Sequence, residues 1–381
     1  MITSKLIKFI VIGVCFFAFI ASANSQDNYL LNPTGKYGVG YQDVFLVNTA
    51  VCPDAFYIKN NNEKDFSATN KKHCQEIILR VYYPSRNGPE LGDVYYAPYV
   101  NEATRWLKES HKFSKQDEGK LDSLANVRTF TSYKIAAVTN HKFPVIIFMP
   151  GAGAPAHAYN NIISNLVSNG YIVIGVNSIF INGALQLSNG HVVKPPSTYL
   201  DSDGRRENID ALKYVLDNLP EIQSKLLAAN IMDLKDIGLI GHSRGAMSIV
   251  NLLKTNQEYS YIKSMILMDP GDLLMQANYP LPKFKIPSMV MWSSVFKKDM
   301  HGSAIVGKNN FEVVIKPEHA SDNFSAHNSF FDNSTLQYHP ACQIPAVQKT
   351  IYVGDGNGYE IAKEINEKIL TFFNRYLKNV T

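Results

Sequence analysis

Residues 239–250 read LIGHSRGAMSIV and place a serine between two glycines, where one apolar segment ends and another begins. The segment before it, DIGLIG (236–241), is typical of a short buried strand, and the segment after it has apolar residues at helical spacing. GHSRG (241–245) fits the G-x-S-x-G nucleophile elbow, a tight strand–turn–helix reversal with little room beside the serine. The pattern predicts that Ser243 is a nucleophile in a strained backbone conformation, facing the first N–H groups of the new helix.

The composition is that of a globular protein of 381 residues, 45% of them hydrophobic, with a formal net charge of +4. Lys and Arg are scattered along the chain, so nothing indicates a surface that binds nucleic acid. No internal repeat or long Pro/Ser-rich linker divides the sequence. We therefore expect one catalytic domain over residues 24–381, in which 24–75 form an extension or an edge-strand region.

The N-terminus has the pattern of an export signal. Lys5 and Lys8 precede the apolar run FIVIGVCFFAFIA (9–21), and ASA (21–23) fits a small-x-small cleavage site. We predict a signal peptide over residues 1–23, with Ser25 as the alternative cleavage position, and hence a periplasmic or secreted protein. An uncleaved anchor is the competing interpretation, although the run is short for a transmembrane span.

Three cysteines remain in the chain after cleavage. Cys52 and Cys74 flank a loop-like, Asn-rich stretch and are near enough in sequence to pair in an oxidising compartment. Cys342 would then be left over as a buried or reactive thiol. None of the three belongs to a C-x-x-C motif, so the sequence does not indicate a structural zinc site, and the three cysteines alone do not settle their pairing.

From about residue 75, short apolar runs alternate with amphipathic stretches. Strands that are apolar throughout and alternate with helices predict an α/β protein with a mostly parallel central sheet and helices on both faces. With the nucleophile elbow at the end of one strand, this pattern is that of the α/β-hydrolase fold. The predicted strands are 76–84, 143–151, 171–178, 236–241, 264–271, 287–294 and 310–317, and the predicted helices are 157–170, 204–219, 245–254 and 359–377. In such sheets ligands bind beyond the carboxyl ends of the strands, where the elbow lies.

A serine nucleophile needs a base, and the base needs a carboxylate that holds its tautomer. In this fold the chain order is serine, acid, histidine. His319 follows the last predicted strand, where a loop can reach back over the elbow, and is the expected base. His327 lies one loop further on and is the alternative.

The acid has three candidates. Asp269 ends the strand SMILM (264–268) and precedes a proline, so that the chain must turn there. Asp272 lies three residues later, and Asp299 follows the next strand, the commoner position for the acid in this fold. We expect Asp269 to be the acid, because a buried carboxylate at a strand end needs a partner.

The oxyanion hole is expected from two backbone segments. One N–H should come from Arg244, directly after the nucleophile. The other should come from the loop after VIIFM (145–149), where Gly151 and Gly153 let the backbone approach a ligand closely. A phosphate-binding loop is disfavoured, because PGAGAPAH (150–157) lacks the Lys-Ser/Thr of a P-loop and the full G-x-G-x-x-G spacing.

The chain resembles the secreted platelet-activating-factor acetylhydrolase family of the α/β-hydrolases along most of its length. The resemblance is carried by NPTGKYGVGYQDV (32–44), LRVYYPS (79–85), residues 143–178, IGLIGHSRGA (237–246), SMILMDPG (264–271) and IKPEHASDNFS (315–325). It implies Ser243 as nucleophile, Asp269 as acid and His319 as base, with oxyanion N–H groups from Ala152 and Arg244.

The sequence departs from that family at three places. Pro150-Gly151 stands where the family often has His-Gly and is closer to cutinase-like polyester hydrolases, and Arg244 replaces an apolar or aromatic residue. The segment 182–204, which would line the acyl or leaving-group pocket, also differs. These departures concern the specificity for short-chain phospholipids more than ester hydrolysis in general.

The sequence therefore predicts an exported serine esterase that acts on carboxylic esters of short to medium acyl chains, phospholipids among the candidates, without a metal or another cofactor. Phe180, Ile181 and Leu274, in apolar segments after two strand ends, are the predicted substrate contacts. We expect a small-molecule or lipid ester as the ligand, peripheral contact with lipid surfaces, and no obligate protein partner. A peptidase or acyltransferase on the same scaffold, and a non-catalytic binding protein, are the alternatives.

Overall fold

The computed structural model describes most of the chain beyond the N-terminal segment. The described residues are 29–52, 74–86, 88–95, 97–139, 141–179, 181–183, 185–190, 192–193, 202–255, 259–271, 281, 284–294, 309–315, 327–351 and 357–378. The predicted signal peptide, Phe180, Asp272, Leu274, Asp299 and His319 lie outside them.

The strands are short and mostly apolar, as the sequence predicts. In chain order they are β1 (Gly38–Asn48), β2 (Gln75–Ser85), β3 (Thr131–Tyr133), β4 (Phe143–Met149), β5 (Ile172–Ser178), β6 (Leu185–Gln186), β7 (Val192–Val193), β8 (Met232–His242), β9 (Ile262–Met268), β10 (Ser288–Ser293) and β11 (Asn310–Ile315). Within the described residues nine of them form one sheet in the order β11-β10-β9-β8-β4-β5-β2-β1-β3. β6 and β7 pair with each other apart from it.

The sheet is mostly parallel. Strands β5, β4, β8, β9, β10 and β11 run parallel to one another, whereas β2 is antiparallel to both β5 and β1. β1 pairs with β2 along its whole length and meets β3 over only three residues, so the segment before residue 75 supplies a strand near the edge of the sheet. The carboxyl ends of the parallel strands consequently share one edge.

Helices cover both faces of the sheet. They are α1 (Ala97–Ser110), α2 (Lys115–Asp122), α3 (Asn160–Ser168), α4 (Ser202–Asp217), α5 (Leu219–Ser224), α6 (Arg244–Thr255), α7 (Asn333–Leu336), α8 (Pro345–Ile351) and α9 (Gly358–Leu377). Residues of α4 and α6 belong to the core on one face, and residues of α3 and α9 to the core on the other. The α/β-hydrolase-type fold predicted from the sequence is thereby confirmed.

Alternation along the central strand β4 shows why this sequence forms a covered sheet. Val145, Ile147 and Met149 enter the core beneath α4 and α6, while Ile146 and Phe148 enter the core beneath α3 and α9. All five side chains are fully buried. A strand that is buried on both faces has no polar side, so the run is apolar throughout rather than alternating with polar residues.

Two features outside the sheet bear on the sequence predictions. Cys52 and Cys74 form a disulfide, whereas Cys342 is free and buried, and burial raises the pKa of its thiol to about 12. Among the described residues, no helix combines the length and the apolar character that crossing a membrane requires.

Candidate active site

The predicted elbow is formed as the sequence indicates. Ser243 lies between β8 and α6 with a φ of 52°, a left-handed conformation that is uncommon for a residue other than glycine. A Cβ added to Gly245 would lie 2.1 Å from the carbonyl oxygen of Met149, and one added to Gly241 would lie 2.7 Å from the amide nitrogen of Ala246. Both positions therefore exclude side chains. The serine itself is half-buried at the carboxyl edge of the sheet.

Asp269 follows β9 directly and is fully buried, with a φ of 40°. Its Oδ1 atom accepts a hydrogen bond of 2.7 Å from the backbone N–H of Ser293, and its Oδ2 atom accepts one of 2.6 Å from the Ser293 hydroxyl. Ser293 ends the neighbouring strand β10, so the position of the carboxylate is fixed by the end of a second strand.

The same carboxylate holds a histidine, and that histidine is His327. Its Nδ1 atom lies 3.0 Å from Oδ2 of Asp269, and its side chain is buried. Because Nδ1 is occupied by the carboxylate, the Nε2 atom of the ring is the one left for proton transfer. The expected base His319 lies outside the described residues, as does Asp299, so the structure supports the alternative base and joins it to the expected acid.

The elbow residue His242 lies against His327. Their ring centroids are 4.3 Å apart, and His242 is fully buried. Burial, together with the neighbouring His327, holds the pKa of His242 well below its usual range, so this ring is neutral. Burial also raises the pKa of Asp269, against the opposing effect of the hydrogen bonds from His327 and Ser293.

Ligand atoms of His242, Asp269 and His327 all lie within 4.8 Å of one another, which is close enough to consider a metal site. Their hydrogen bonds account for the proximity: Nδ1 of His327 is bonded to Asp269, and Nδ1 of His242 lies 2.9 Å from the hydroxyl of Tyr159. The donor set therefore fits a hydrogen-bonded catalytic group better than a cation site.

The predicted oxyanion loop follows β4 and borders the serine. A Cβ on Gly151 would lie 3.5 Å from Cβ of Ser243, so the loop and the elbow are adjacent. The Gly151 N–H donates to the Tyr159 hydroxyl over 2.9 Å, and the Gly153 N–H donates to the carbonyl of Ile181 over 2.8 Å. The N–H of Ala152, between them, makes no hydrogen bond to any residue that the structure describes.

Asn182 holds this loop through hydrogen bonds to its backbone. Its amide donates to the carbonyl of Gly151 over 3.1 Å and to that of Ala154 over 2.7 Å, while its side-chain oxygen accepts from the backbone of Ser178. Asn182 has 1% of its surface exposed. A buried amide with these partners holds the loop in one conformation, as a preformed oxyanion hole requires.

The second predicted oxyanion donor, Arg244, is the first residue of α6. The N–H groups in the first turn of a helix have no acceptor within the helix and are directed beyond its N-terminus. Its side chain is buried, and its carbonyl accepts a hydrogen bond of 3.0 Å from Ser248. Asn208 of α4 donates to the same Ser248 hydroxyl over 2.7 Å. The start of the helix is thus tied to the helix beside it.

The segment that follows His327 is anchored to the start of α3 by Asp332. The Asp332 carboxylate accepts hydrogen bonds of 2.8 Å from the backbone N–H groups of Asn160 and Asn161 and from the hydroxyl of Tyr95. Burial raises the pKa of Asp332 to about 7, although these bonds oppose the shift. This carboxylate fixes the chain five residues beyond the histidine.

The three predicted substrate contacts are not brought together among the described residues. Phe180 and Leu274 lie outside them. Ile181 has no exposed surface, and its carbonyl supports the oxyanion loop through Gly153. Ile181 therefore offers no surface to a substrate in this structure, and its observed contact supports the loop.

Sequence reasoning missed several residues that complete the site. Tyr159, Asn182 and Ser293 carry no motif, and only their contacts identify them. The one sequence signal was position: Asn182 and Ser293 lie at or just after the ends of parallel strands. Such positions deserve a check for side-chain donors even where no motif is present.

Comparisons with known proteins match the chain to two families of ester hydrolases. The family model described as chlorophyllase matches residues 132–333, a span that contains the oxyanion loop, the elbow, Asp269 and His327. The model described as platelet-activating factor acetylhydrolase, isoform II, matches residues 23–178 and confirms the resemblance seen in the sequence. A search of curated proteins finds no significant match.

Among solved structures, the ferulic acid esterase from Streptomyces cinnamoneus is similar in fold, with a TM-score of 0.66 and 18% identity. The similarity covers 91% of this chain and 92% of that one. At this identity the match supports the fold alone.

Proposed function

The chain belongs to the chlorophyllase family and is a carboxylic ester hydrolase, and on that premise we propose that it cleaves esters through an acyl-enzyme on Ser243, with His327 as base and Asp269 as acid. The observation that carries the proposal is the buried bond between His327 and Asp269 beside a serine with φ of 52°. His327 takes the place that the sequence had given to His319.

In the acylation step, Nε2 of His327 takes the proton of the Ser243 hydroxyl while its oxygen bonds to the ester carbonyl carbon. The negative charge that develops on the carbonyl oxygen is stabilised by the N–H groups of Ala152 and Arg244. The intermediate then expels the alcohol, which takes the proton from His327. A water molecule repeats the sequence, releases the carboxylic acid and restores the serine.

Asp269 makes no bond to the substrate in this scheme. Its carboxylate holds the His327 ring with Nδ1 as donor and stabilises the imidazolium that forms in each step. Ser293 keeps that carboxylate in place through two hydrogen bonds. The neutral ring of His242, packed on His327, adds no competing positive charge.

For the substrate, we propose esters with short to medium acyl chains. The segments 178–190 and 272–284 follow strands that end at the carboxyl edge of the sheet, where Ser243 lies, and they combine apolar with small residues. They contain no cluster of charged residues that would select a charged side chain of a peptide substrate. Phe180 and Leu274 are the contacts proposed from them. Each methylene that fits such a pocket contributes up to ~0.8 kcal/mol, so activity should rise with chain length until the groove is full.

A panel of chromogenic p-nitrophenyl esters, from acetyl to palmitoyl, tests this function on the purified chain. We expect hydrolysis by the wild type with an optimum at short or medium chains, below the micellar concentration of each ester, and none by Ser243→Ala. Platelet-activating factor is a further arm of the panel, motivated by the match to the acetylhydrolase family. Absence of ester hydrolysis throughout, or cleavage of peptides instead, would contradict the proposal, and activity that begins only above the micellar concentration would contradict the proposed preference for dissolved esters.

We also propose that the protein is exported. The N-terminal charge and apolar pattern supports this, and so does the disulfide between Cys52 and Cys74, since such bonds persist in oxidising compartments. N-terminal sequencing of the protein recovered outside the cytoplasm should begin at Asn24 or Gln26. Recovery in the cytoplasm with an intact N-terminus would contradict export.

A further inference from the structure

Tyr159 is fully buried and contacts both the oxyanion loop and the nucleophile elbow. It is the last residue of a 3₁₀ turn (Ala156–Tyr159) that precedes α3, and its ring packs on Phe148 and Phe331 with centroid distances of 4.8 and 4.7 Å. These contacts hold the ring in place. The phenol is consequently held with its hydroxyl at the junction of two catalytic segments.

The hydroxyl oxygen of Tyr159 makes two hydrogen bonds there. It lies 2.9 Å from the backbone nitrogen of Gly151 and 2.9 Å from Nδ1 of His242. A backbone N–H can only donate, so the tyrosine oxygen accepts from Gly151. The hydroxyl has one proton and a second acceptor position, so its bond to Nδ1 of His242 forms with either tautomer of that ring.

Each partner of Tyr159 is the neighbour of a residue with a proposed role in the reaction. Gly151 directly precedes Ala152, the proposed oxyanion donor, and His242 directly precedes Ser243. The ring of His242 also lies 4.3 Å from that of His327. One hydroxyl thus connects the oxyanion loop, the nucleophile and the ring against which the base packs.

We propose that Tyr159 is a positioning residue for ester hydrolysis, whose hydroxyl sets the oxyanion loop against the nucleophile elbow and orients His242 against His327. The inference rests on the proposed roles of Ser243, Ala152 and His327. Without the hydroxyl, the Gly151 N–H and Nδ1 of His242 would both lose this buried partner. Asn182 bonds two carbonyl groups of the loop and would not by itself keep the N–H of Ala152 directed at the oxyanion.

Tyr159→Phe removes this hydroxyl, and Tyr171→Phe is its matched control. Tyr171 is equally buried, and its hydroxyl also makes a hydrogen bond, of 2.8 Å, but to Asn374 on α9, away from the catalytic edge. Both variants lose one bonded hydroxyl from the interior. Any difference in their kinetics therefore reports on the place of the hydroxyl and not on the loss of a buried hydrogen bond.

We expect kcat of Tyr159→Phe to fall by about 10- to 100-fold with KM within about twofold of the wild type, because a displaced oxyanion donor costs less than a removed one. Affinity for a trifluoromethyl ketone analogue of the best ester should fall by the same factor, since its serine adduct carries an oxyanion. Tyr171→Phe should keep both values close to the wild type.

Equal kcat in the two variants, or a loss that appears in KM alone, would overturn the inference. If Tyr159→Phe folds poorly, His242→Phe provides the second measurement: it removes the ring nitrogen bonded to the hydroxyl but leaves the bond to Gly151, and its kcat should fall by about 10-fold relative to Tyr171→Phe. Equal kcat in His242→Phe and Tyr171→Phe would overturn the inference. The proposed function fails separately, if the wild type hydrolyses no ester or Ser243→Ala remains active.

Discussion

The Nδ1 atom of His327 lies 3.0 Å from Oδ2 of Asp269, although 58 residues separate the two in the chain. Both side chains are buried, and Asp269 is also held by Ser293. A neutral histidine with its Nδ1 proton bonded to a buried carboxylate presents Nε2 as a base. This pair is the part of the site on which the proposed mechanism depends most.

The choice of base leads to the first prediction. His327→Gln should lower kcat for ester hydrolysis by on the order of 10⁴-fold or more, because the serine then has no group to take its proton. His319→Gln, which tests the residue expected from the sequence, should leave kcat within about tenfold of the wild type. Both are measured by initial rates on the same p-nitrophenyl ester. The reverse order of the two losses would restore His319 as the base.

The acid gives the second prediction. Asp269→Asn should lower kcat by on the order of 10⁴-fold, because the amide favours the wrong tautomer of His327. Ser293→Ala, which keeps the carboxylate but removes one of its donors, should cost far less, and Asp299→Asn should behave like the wild type. Steady-state kinetics on the three variants separates these cases. A large loss in Asp299→Asn with an active Asp269→Asn would place the acid at the other strand end.

The third prediction concerns the glycines of the elbow. A Cβ on Gly245 would lie 2.1 Å from the Met149 carbonyl, so Gly245→Ala should destabilise the fold by on the order of 3 kcal/mol and abolish activity. Gly119→Ala is the control: an added Cβ there meets nothing within 4 Å, and alanine in this exposed helix should stabilise by about 0.5–1 kcal/mol. Thermal denaturation measures both. A Gly245→Ala variant as stable as the wild type would contradict the close approach of these two backbones.

The strands and the elbow were predictable from the sequence because their signals are local. Apolar runs bounded by turns predict the strands of a covered sheet, and β2, β4, β5, β8, β9, β10 and β11 lie where the sequence places them. The long strand β1 was predicted only as an extension or an edge-strand region, since five of its eleven residues are not buried and polar residues interrupt the apolar pattern. The predicted helix 157–170 divides into a 3₁₀ turn and α3, at the point where Tyr159 reaches into the site.

The rest of the site depends on contacts between distant segments. Asp269 could be proposed as the acid because it follows a strand end, whereas several histidines, His319 and His327 among them, follow the last predicted strand. His319 is nearer in sequence to β11, but the carboxylate in the structure is bonded to His327. Tyr159 and Asn182 act through hydrogen bonds to backbone groups, which leave no pattern in a sequence.

The fourth prediction concerns stability and pH. His157 is buried, and burial, followed by the charge of Arg80, lowers its pKa well below 6.5. In the unfolded chain the histidine takes up a proton near pH 6.5, while in the folded protein it stays neutral. The contribution of His157 to the free energy of unfolding is therefore present above pH 6.5 and is lost progressively as the pH falls below it.

Denaturant unfolding of the wild type and of His157→Gln at pH 7.5 and 5.0 measures this contribution. The variant should lose less of its free energy of unfolding than the wild type over that interval, by up to about 2 kcal/mol, whatever its stability at pH 7.5. His111→Gln, at an exposed histidine, is the control and should follow the wild type. Parallel losses in the wild type and His157→Gln would show that His157 does not contribute.

Covalent labelling by a fluorophosphonate tests the central claim most directly, because the reagent reacts with an activated serine and needs no knowledge of the natural ester. The wild type should gain the mass of one adduct, and peptide mapping should place it on Ser243. His327→Gln should label far more slowly, and Ser243→Ala should not label. An adduct on another serine, or labelling that persists in Ser243→Ala, would contradict the assignment of Ser243 as the nucleophile.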